Sequence, residues 1–286
     1  MILIIIIYKN DFIFLYINKK MDKRFYWNCP IWQGTKYICE REDKIRNNII
    51  KYNYEQKIDI KELYKDKEEL YKEDKKDKEY FYKDKKDLYR DKKIILYNDC
   101  CINVAIDMSE KYNDKKICLW NFANPNIPGL SLTEETQEEE IIRATDFGLY
   151  ELKEYYPLLK HFLYVNDCDI VRYSNRNNYK QLENPFKIDI LTVAAKNYRY
   201  KPVEFSIEER EENQQMLDNI FKSMIIQKCD IAIIGALGMG MFNNPDEMLE
   251  LIISAAKTYL NYFDQIIFSI IDQYESKNYK KVLELL

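Results

Sequence analysis

The chain has 286 residues, enough for one large α/β domain with additions or for two small domains. Its 44 basic and 48 acidic residues leave a net charge of −4, so there is no broad cationic field and direct nucleic-acid binding is not expected. His161 is the single histidine. Ser-His-Asp, Cys-His and His-rich metal chemistry therefore lack their imidazole, which leaves carboxylates to carry any catalysis; no cofactor is expected.

At the N-terminus, Ile2 to Tyr8 and Phe12 to Ile17 are apolar, and Lys9-Asn10-Asp11 interrupts them. Neither run is long enough to cross a bilayer, and the charged break falls where a signal peptide should be continuous. The segment is ambiguous: a β-hairpin turning at Lys-Asn-Asp fits about as well, Met21 is an alternative functional start, and a secretory signal is a further reading; no membrane partner is expected. Residues 1–56 are read as a partly ordered N-terminal extension. Residues 57–93 are almost wholly Lys, Asp, Glu and Tyr, with a loose repeat at Leu63-Tyr64-Lys65-Asp66-Lys67, Leu70-Tyr71-Lys72-Glu73-Asp74 and Leu88-Tyr89-Arg90-Asp91-Lys92. Their apolar content is too low to bury a core, so a charged low-complexity insertion is expected.

Residues 94–286 are read as the functional domain. Ile94 to Tyr97 predicts a strand, and Asn98 or Asp99 a cap for a helix carrying Ile102, Val104, Ala105 and Met108. Ile117 to Phe122 is an unbroken apolar strand of the kind covered on both faces. The spacing then predicts a helix from about Thr136 to Tyr156 and a buried strand from Ile188 to Ala195. Ser206-x-x-Glu209 forms a capping box before a helix bearing Met216, Leu217, Ile220, Phe221, Met224 and Ile225. A strand at Asp230 to Gly235, a helix over 246–263 and a strand from Gln265 to Ile271 complete the series. Alternating strands and helices imply a mostly parallel sheet with helices on both faces.

Cys29, Cys39, Cys100, Cys101, Cys118, Cys168 and Cys229 are odd in number and form no C-x-x-C pair. They read as free thiols of a reducing compartment, cytoplasmic or nuclear.

Two segments carry candidate chemistry. The turn Gly235-Ala-Leu-Gly-Met-Gly-Met-Phe-Asn243 lies between a strand and a helix that Asn244 and Pro245 are placed to start. Its glycines allow positive φ and let main-chain N–H groups approach an anion such as a diphosphate; a tight turn needing small residues is the plain alternative. Gln137-Glu138-Glu139-Glu140 opens a helix whose apolar stripe includes Ile141, Ile142, Ala144 and Phe147. Thr136-x-x-Glu139 can be a capping box with acids suited to the first helical turn. Alternatively, one crowded, desolvated carboxyl keeps its proton and acts on a glycosidic oxygen while its neighbour stays ionised on a ribose hydroxyl.

Together with Asn121-Phe-Ala-Asn-Pro125, Pro128-Gly129, Ile142-Arg-Ala-Thr145, Leu149-Tyr150, Leu191-Thr-Val-Ala-Ala195 and Asn197, these segments resemble the microbial-type poly(ADP-ribose) glycohydrolase family, a branch of the macrodomain superfamily. The resemblance spans roughly Ile94 to Ile271. It implies a three-layer α/β/α macrodomain-like fold with a mixed, mostly parallel sheet, and an ADP-ribosyl glycohydrolase that hydrolyses the O-glycosidic ribose linkage of ADP-ribose or of ADP-ribosylated protein. By position it assigns Glu139 as the acid and Glu138 as the ribose-orienting carboxylate. Asn124, Gly129, Gln137, Gly235, Gly238, Gly240, Phe242 and Asn243 are implied substrate contacts, no metal is implied, and a monomer is expected. The sequence departs from the family where Leu130 and Ser131 replace glycines after Gly129 and the loop to Gln137 is short. A catalytically impaired ADP-ribose-binding reader is therefore the alternative.

Overall fold

The computed structural model describes residues 2–8, 11–17, 49–60, 93–129, 136–150, 152–200, 204–271 and 277–286. Strands β1 (Ile2–Tyr8) and β2 (Asp11–Ile17) pair antiparallel, with Tyr8 opposite Asp11, as a hairpin in a unit spanning residues 1–45. The second unit, residues 46–286, holds a seven-stranded sheet. Its strands are β3 (Ile49–Asn53), β4 (Lys93–Tyr97), β5 (Ile117–Phe122), β6 (His161–Arg172), β7 (Gln181–Val193), β8 (Ile231–Ile234) and β9 (Gln265–Ser269), in the spatial order 3-6-7-5-8-9-4. The pairings from β7 through β5, β8 and β9 to β4 are parallel, whereas β3–β6 and β6–β7 are antiparallel. The carboxyl ends of β7, β5, β8, β9 and β4 consequently share one edge.

Helices α1 (Cys101–Lys111) and α2 (Gln137–Ala144) pack against β5, while α3 (Ile207–Ile226) and α4 (Glu247–Tyr259) pack on one another. Alternation along β5 explains the two layers: Cys118 and Trp120 enter the core with α3 and α4, and Leu119 and Asn121 face the other way. Trp120 meets Phe221 edge-on at 5.7 Å, and its indole N–H donates to Met224 Sδ at 3.4 Å. Burial of a side chain this large stabilises by about 1.5–3 kcal/mol. The capping box forms as expected, since Ser206 accepts from the Glu209 N–H while the Glu209 carboxylate accepts from the Ser206 N–H. This is a three-layer α/β/α fold with a mixed, mostly parallel sheet. A last helix, α5 (Lys277–Leu285), follows β9. Among the described residues no helix is long and apolar enough to cross a membrane.

Several expectations change. The helix that begins at Gln137 stops at Ala144, well short of Tyr156. Thr145 turns to an extended conformation and bridges Ile170 of β6, while its hydroxyl donates to the Ile141 carbonyl at 2.7 Å. Only short 3-10 turns follow, at Phe147–Leu149 and Leu152–Tyr155. The strict strand–helix alternation is broken by β6, which sequence reading missed, and by β7, which starts at Gln181 rather than Ile188. Polar residues within β6 hid it: Asp169 is buried, but its N–H donates to Asp146 Oδ1 at 2.8 Å. Residues 49–60, placed by composition in the extension and the insertion, contribute β3 and the buried Tyr52, Ile58 and Ile60 to the core. The repeat over 63–92 lies outside the described residues.

Candidate active site

At the shared carboxyl edge the two motifs meet. Gln137 opens α2, and both ends of its amide bind the end of β5: Nε2 donates to the Trp120 carbonyl at 2.5 Å, and Oε1 accepts the Phe122 N–H at 2.8 Å. This amide occupies the hydrogen-bonding positions that a neighbouring strand would fill, and so it locks the acidic helix start onto the sheet. Phe122 in turn lies against the glycine turn, because a Cβ on Gly235 would stand 3.0 Å from its ring. Segments more than a hundred residues apart thus form one surface.

The acids of α2 have three different environments. Glu138 is 3% exposed, and its Oε2 accepts the Asn124 N–H at 3.1 Å. Burial pushes its carboxyl up to about 7, and the charge of Glu139 adds to the rise; the N–H groups of Asn124 and Gly129 and the side chain of Asn121 oppose it. Glu139 is 2% exposed and accepts the Thr136 hydroxyl. Thr136 is the N-cap residue but makes no side-chain bond to the helix backbone, so the expected capping box does not form. Its hydroxyl holds the Glu139 carboxyl instead. Glu140 accepts the Tyr179 hydroxyl at 2.5 Å and the Asn175 N–H at 2.8 Å, tying α2 to the loop between β6 and β7. The raised carboxyl is therefore Glu138, the position to which the resemblance gave the ionised, ribose-orienting role.

The loop after β5 is shaped by its own side chains. Asn124 Oδ1 accepts the N–H groups of Asn126 at 2.9 Å and Ile127 at 3.3 Å, so this oxygen is engaged in the turn. Gly129 has φ +56°, and a Cβ there would come within 2.6 Å of Ile142 on α2. Leu130 and Ser131 lie outside the described residues.

In the second motif the glycines differ. Gly238 has φ +76°, and a Cβ would fall 2.5 Å from Asn244 Nδ2 and 2.7 Å from Ala195. Gly240 would meet nothing within 4 Å. Asn244 is not an N-cap, as α4 begins at Glu247 with Asp246 before it. Its buried amide donates to the Lys196 carbonyl at 2.8 Å and the Gly238 carbonyl at 3.1 Å, stitching the turn to the segment after β7. The Tyr198 N–H reinforces that seam through the Phe242 carbonyl at 2.7 Å. Phe242 is partly buried against the core, while Asn243 is exposed with φ +47°. The sequence signal for Asn244 was present, a polar residue directly behind a glycine turn, but a capping role and a loop-tying role look alike in one dimension.

Two further surface cavities are present. One, of about 440 Å³, adjoins the turn, where Met239, Asn243 and Asn244 line it together with Glu204, Asp246, Glu247 and Lys277; three acids against one lysine do not favour an anion there. The other, of about 890 Å³, lies at the opposite sheet edge beside Lys116 and Asp189. Among the described residues no three metal-ligating side chains cluster, and Cys100, Cys101, Cys118, Cys168 and Cys229 are free thiols.

No protein-family model matches the sequence, and no curated protein matches it. Solved structures do. The chain is similar to poly(ADP-ribose) glycohydrolase from Deinococcus radiodurans in complex with ADP-ribose, with a TM-score of 0.64 and 15% identity over 86% of this chain and 96% of that one. It is likewise similar to the enzyme from Thermomonospora curvata bound to the inhibitor ADP-HPD, with a TM-score of 0.61 and 15% identity over 86% and 88% of the two chains. A further structure of the Thermomonospora curvata enzyme gives a TM-score of 0.57 and 18% identity over 68% and 77%. With so few shared residues the likeness is one of architecture, and this chain has the fold of the microbial-type poly(ADP-ribose) glycohydrolases.

Proposed function

We propose that this chain binds ADP-ribose at the carboxyl edge of its sheet and hydrolyses the O-glycosidic bond of the ribose. The observation that carries this reading is the meeting of the two motifs: Phe122 gives its N–H to Gln137 beside the carboxylates and its ring to Gly235 of the turn. The turn, open above Gly240, receives the diphosphate on main-chain N–H groups. Glu139, held by Thr136, protonates the leaving oxygen as the C–O bond breaks. Water adds to the anomeric carbon, and the proton it releases restores Glu139. Glu138, whose carboxyl is pushed up to about 7, holds a ribose hydroxyl and can donate as well as accept at neutral pH. Gln137 acts by positioning, since both ends of its amide are engaged by β5.

The test is release of free ADP-ribose from ADP-ribosylated protein. Glu139→Gln should slow release by about 10²- to 10⁴-fold, the usual scale for a lost general acid. One observation favours the second reading, a reader that binds without turnover: both carboxyls are only 2–3% exposed, so a ligand reaches them only if surrounding chain moves. Background-level release by parent and variant alike, with ADP-ribose binding intact by calorimetry, selects the reader. No binding heat at millimolar ADP-ribose removes both readings.

A further inference from the structure

Beside the glycine turn stands an arginine that no sequence motif singled out. The segment after β7 is stitched along the turn at three points. Asn244 donates to the Lys196 carbonyl at 2.8 Å, the Tyr198 N–H to the Phe242 carbonyl at 2.7 Å, and Arg199 Nε to the Met241 carbonyl at 3.2 Å. Asn197 braces the arginine from its own segment, accepting the Arg199 N–H on Oδ1 at 3.0 Å. Met241 is a corner residue of the β-turn that the Asn243 N–H closes onto the Gly240 carbonyl. The guanidinium is thus tied to the residue directly after Gly240, where a Cβ meets nothing within 4 Å.

Which nitrogen is engaged decides what remains. With Nε on the carbonyl, the two terminal nitrogens are left as a planar, end-on fork that matches two oxygens of a phosphate. Among the described residues, Nε to Met241 is the one side-chain hydrogen bond of Arg199, and no carboxylate pairs with it. The other charges of these segments are matched: Lys196 with Glu212, Glu247 with Arg210, and Asp246 with Lys277 and Lys281. We propose that Arg199 is a diphosphate-binding residue, fixed on the Met241 carbonyl through Nε so that its terminal fork takes phosphate oxygens lying over the turn. The main-chain N–H groups of the turn carry only partial charge, and acids at 246 and 247 follow it. Arg199 supplies the full positive charge that an anion needs there, and the Nε anchor keeps the fork in place before the ligand arrives. This inference rests on the proposed reading that ADP-ribose binds at this edge, and it names the side chain that recognises the diphosphate. A surface arginine that only tacks the turn to its neighbour is the plain alternative, and that role does not depend on charge.

The experiment is calorimetry of the whole chain with ADP-ribose at low and high salt, comparing the parent with Arg199→Gln and Arg199→Lys. Arg199→Gln should bind about tenfold more weakly at low salt, the scale of a charge-assisted hydrogen bond. High salt should bring the parent down toward the variant, because screening acts on the charge that only the parent has. Arg199→Lys, with the charge but not the fork, should fall between them. Equal affinity in parent and Arg199→Gln overturns the proposal. So does a deficit of the same size at low and high salt, since that marks a loosened turn rather than a lost charge. If ADP-ribose gives no heat with the parent, the ADP-ribose reading falls by itself. Inorganic pyrophosphate then tests the arginine, through the amide resonances of Gly238, Gly240 and Met241. Shifts that saturate in the parent and vanish in Arg199→Gln support an anion site at Arg199; no shifts, or the same shifts in both, overturn it.

Discussion

Replacing Gly238 and Gly240 separately by alanine should split stability from ligand binding. At Gly238 the backbone has φ +76°, and the new Cβ would lie 2.5 Å from Asn244 Nδ2 and 2.7 Å from the Ala195 methyl. The left-handed conformation costs an alanine about 1–2 kcal/mol. Pushing Asn244 aside endangers its bonds to the Lys196 and Gly238 carbonyls, at about 1 kcal/mol each net. Together these give a loss of about 3–4 kcal/mol for Gly238→Ala. At Gly240 a Cβ meets nothing within 4 Å, so Gly240→Ala should stay within about 0.5 kcal/mol of the parent. If the turn holds a diphosphate, however, that same methyl stands in the ligand's approach and should weaken ADP-ribose at least tenfold, about 1.4 kcal/mol. Urea unfolding measures the first quantity and calorimetry the second. A Gly238→Ala chain as stable as the parent would refute the steric reasoning. Unchanged affinity in Gly240→Ala would show that the diphosphate lies elsewhere.

Glu138 makes stability depend on pH. Its carboxyl rises from an ordinary 4.5 to about 7 on folding, so the folded chain keeps a proton that the unfolded chain loses in that window. Its contribution is therefore full below about pH 4.5, falls as pH rises toward 7 and is constant above, a change of about 3 kcal/mol. The stability difference between parent and Glu138→Gln, measured in urea at pH 5 and pH 8, should move by that amount in favour of the variant at pH 8; a difference that ignores pH would show that the site does not hold the proton. Gln137→Leu strands the Trp120 carbonyl and the Phe122 N–H and should lower stability by about 2–4 kcal/mol; an unchanged thermal midpoint would contradict the two-bond account. Tyr179→Phe removes the hydroxyl bonded to Glu140 and should cost about 1 kcal/mol, with faster amide exchange at Asn175. Unaltered exchange there would mean that Glu140 does not tie down this loop.

The fold's parallel half was legible in the chain because its signals are local. Ile117–Trp120 and Ile231–Ile234 are unbroken apolar runs, as expected of strands buried on both faces. The cap at Ser206 is a four-residue pattern that satisfies itself. Gly238 was legible for the same kind of reason: a bend that requires positive φ selects glycine whatever surrounds it. The antiparallel half was not. β6 contains Asn166, Asp167, Asp169 and Arg172, which read as loop until partners are supplied. The Asp167 N–H donates to Asp189 Oδ1 at 3.2 Å, and Arg172 donates to the Arg143 carbonyl at 3.3 Å.

The site divides in the same way. Sequence placed three acids at the start of a helix and a glycine turn after a strand, since residue type and spacing suffice for both. Only the tertiary structure could give the three acids separate fates, with Glu139 on the Thr136 hydroxyl, Glu140 on Tyr179, and Glu138 buried against Asn121. Helix propensity sees identical carboxylates one residue apart. Their partners, and the raised proton affinity of Glu138, depend on which face of α2 meets β5, which meets the β6–β7 loop, and how much water is excluded.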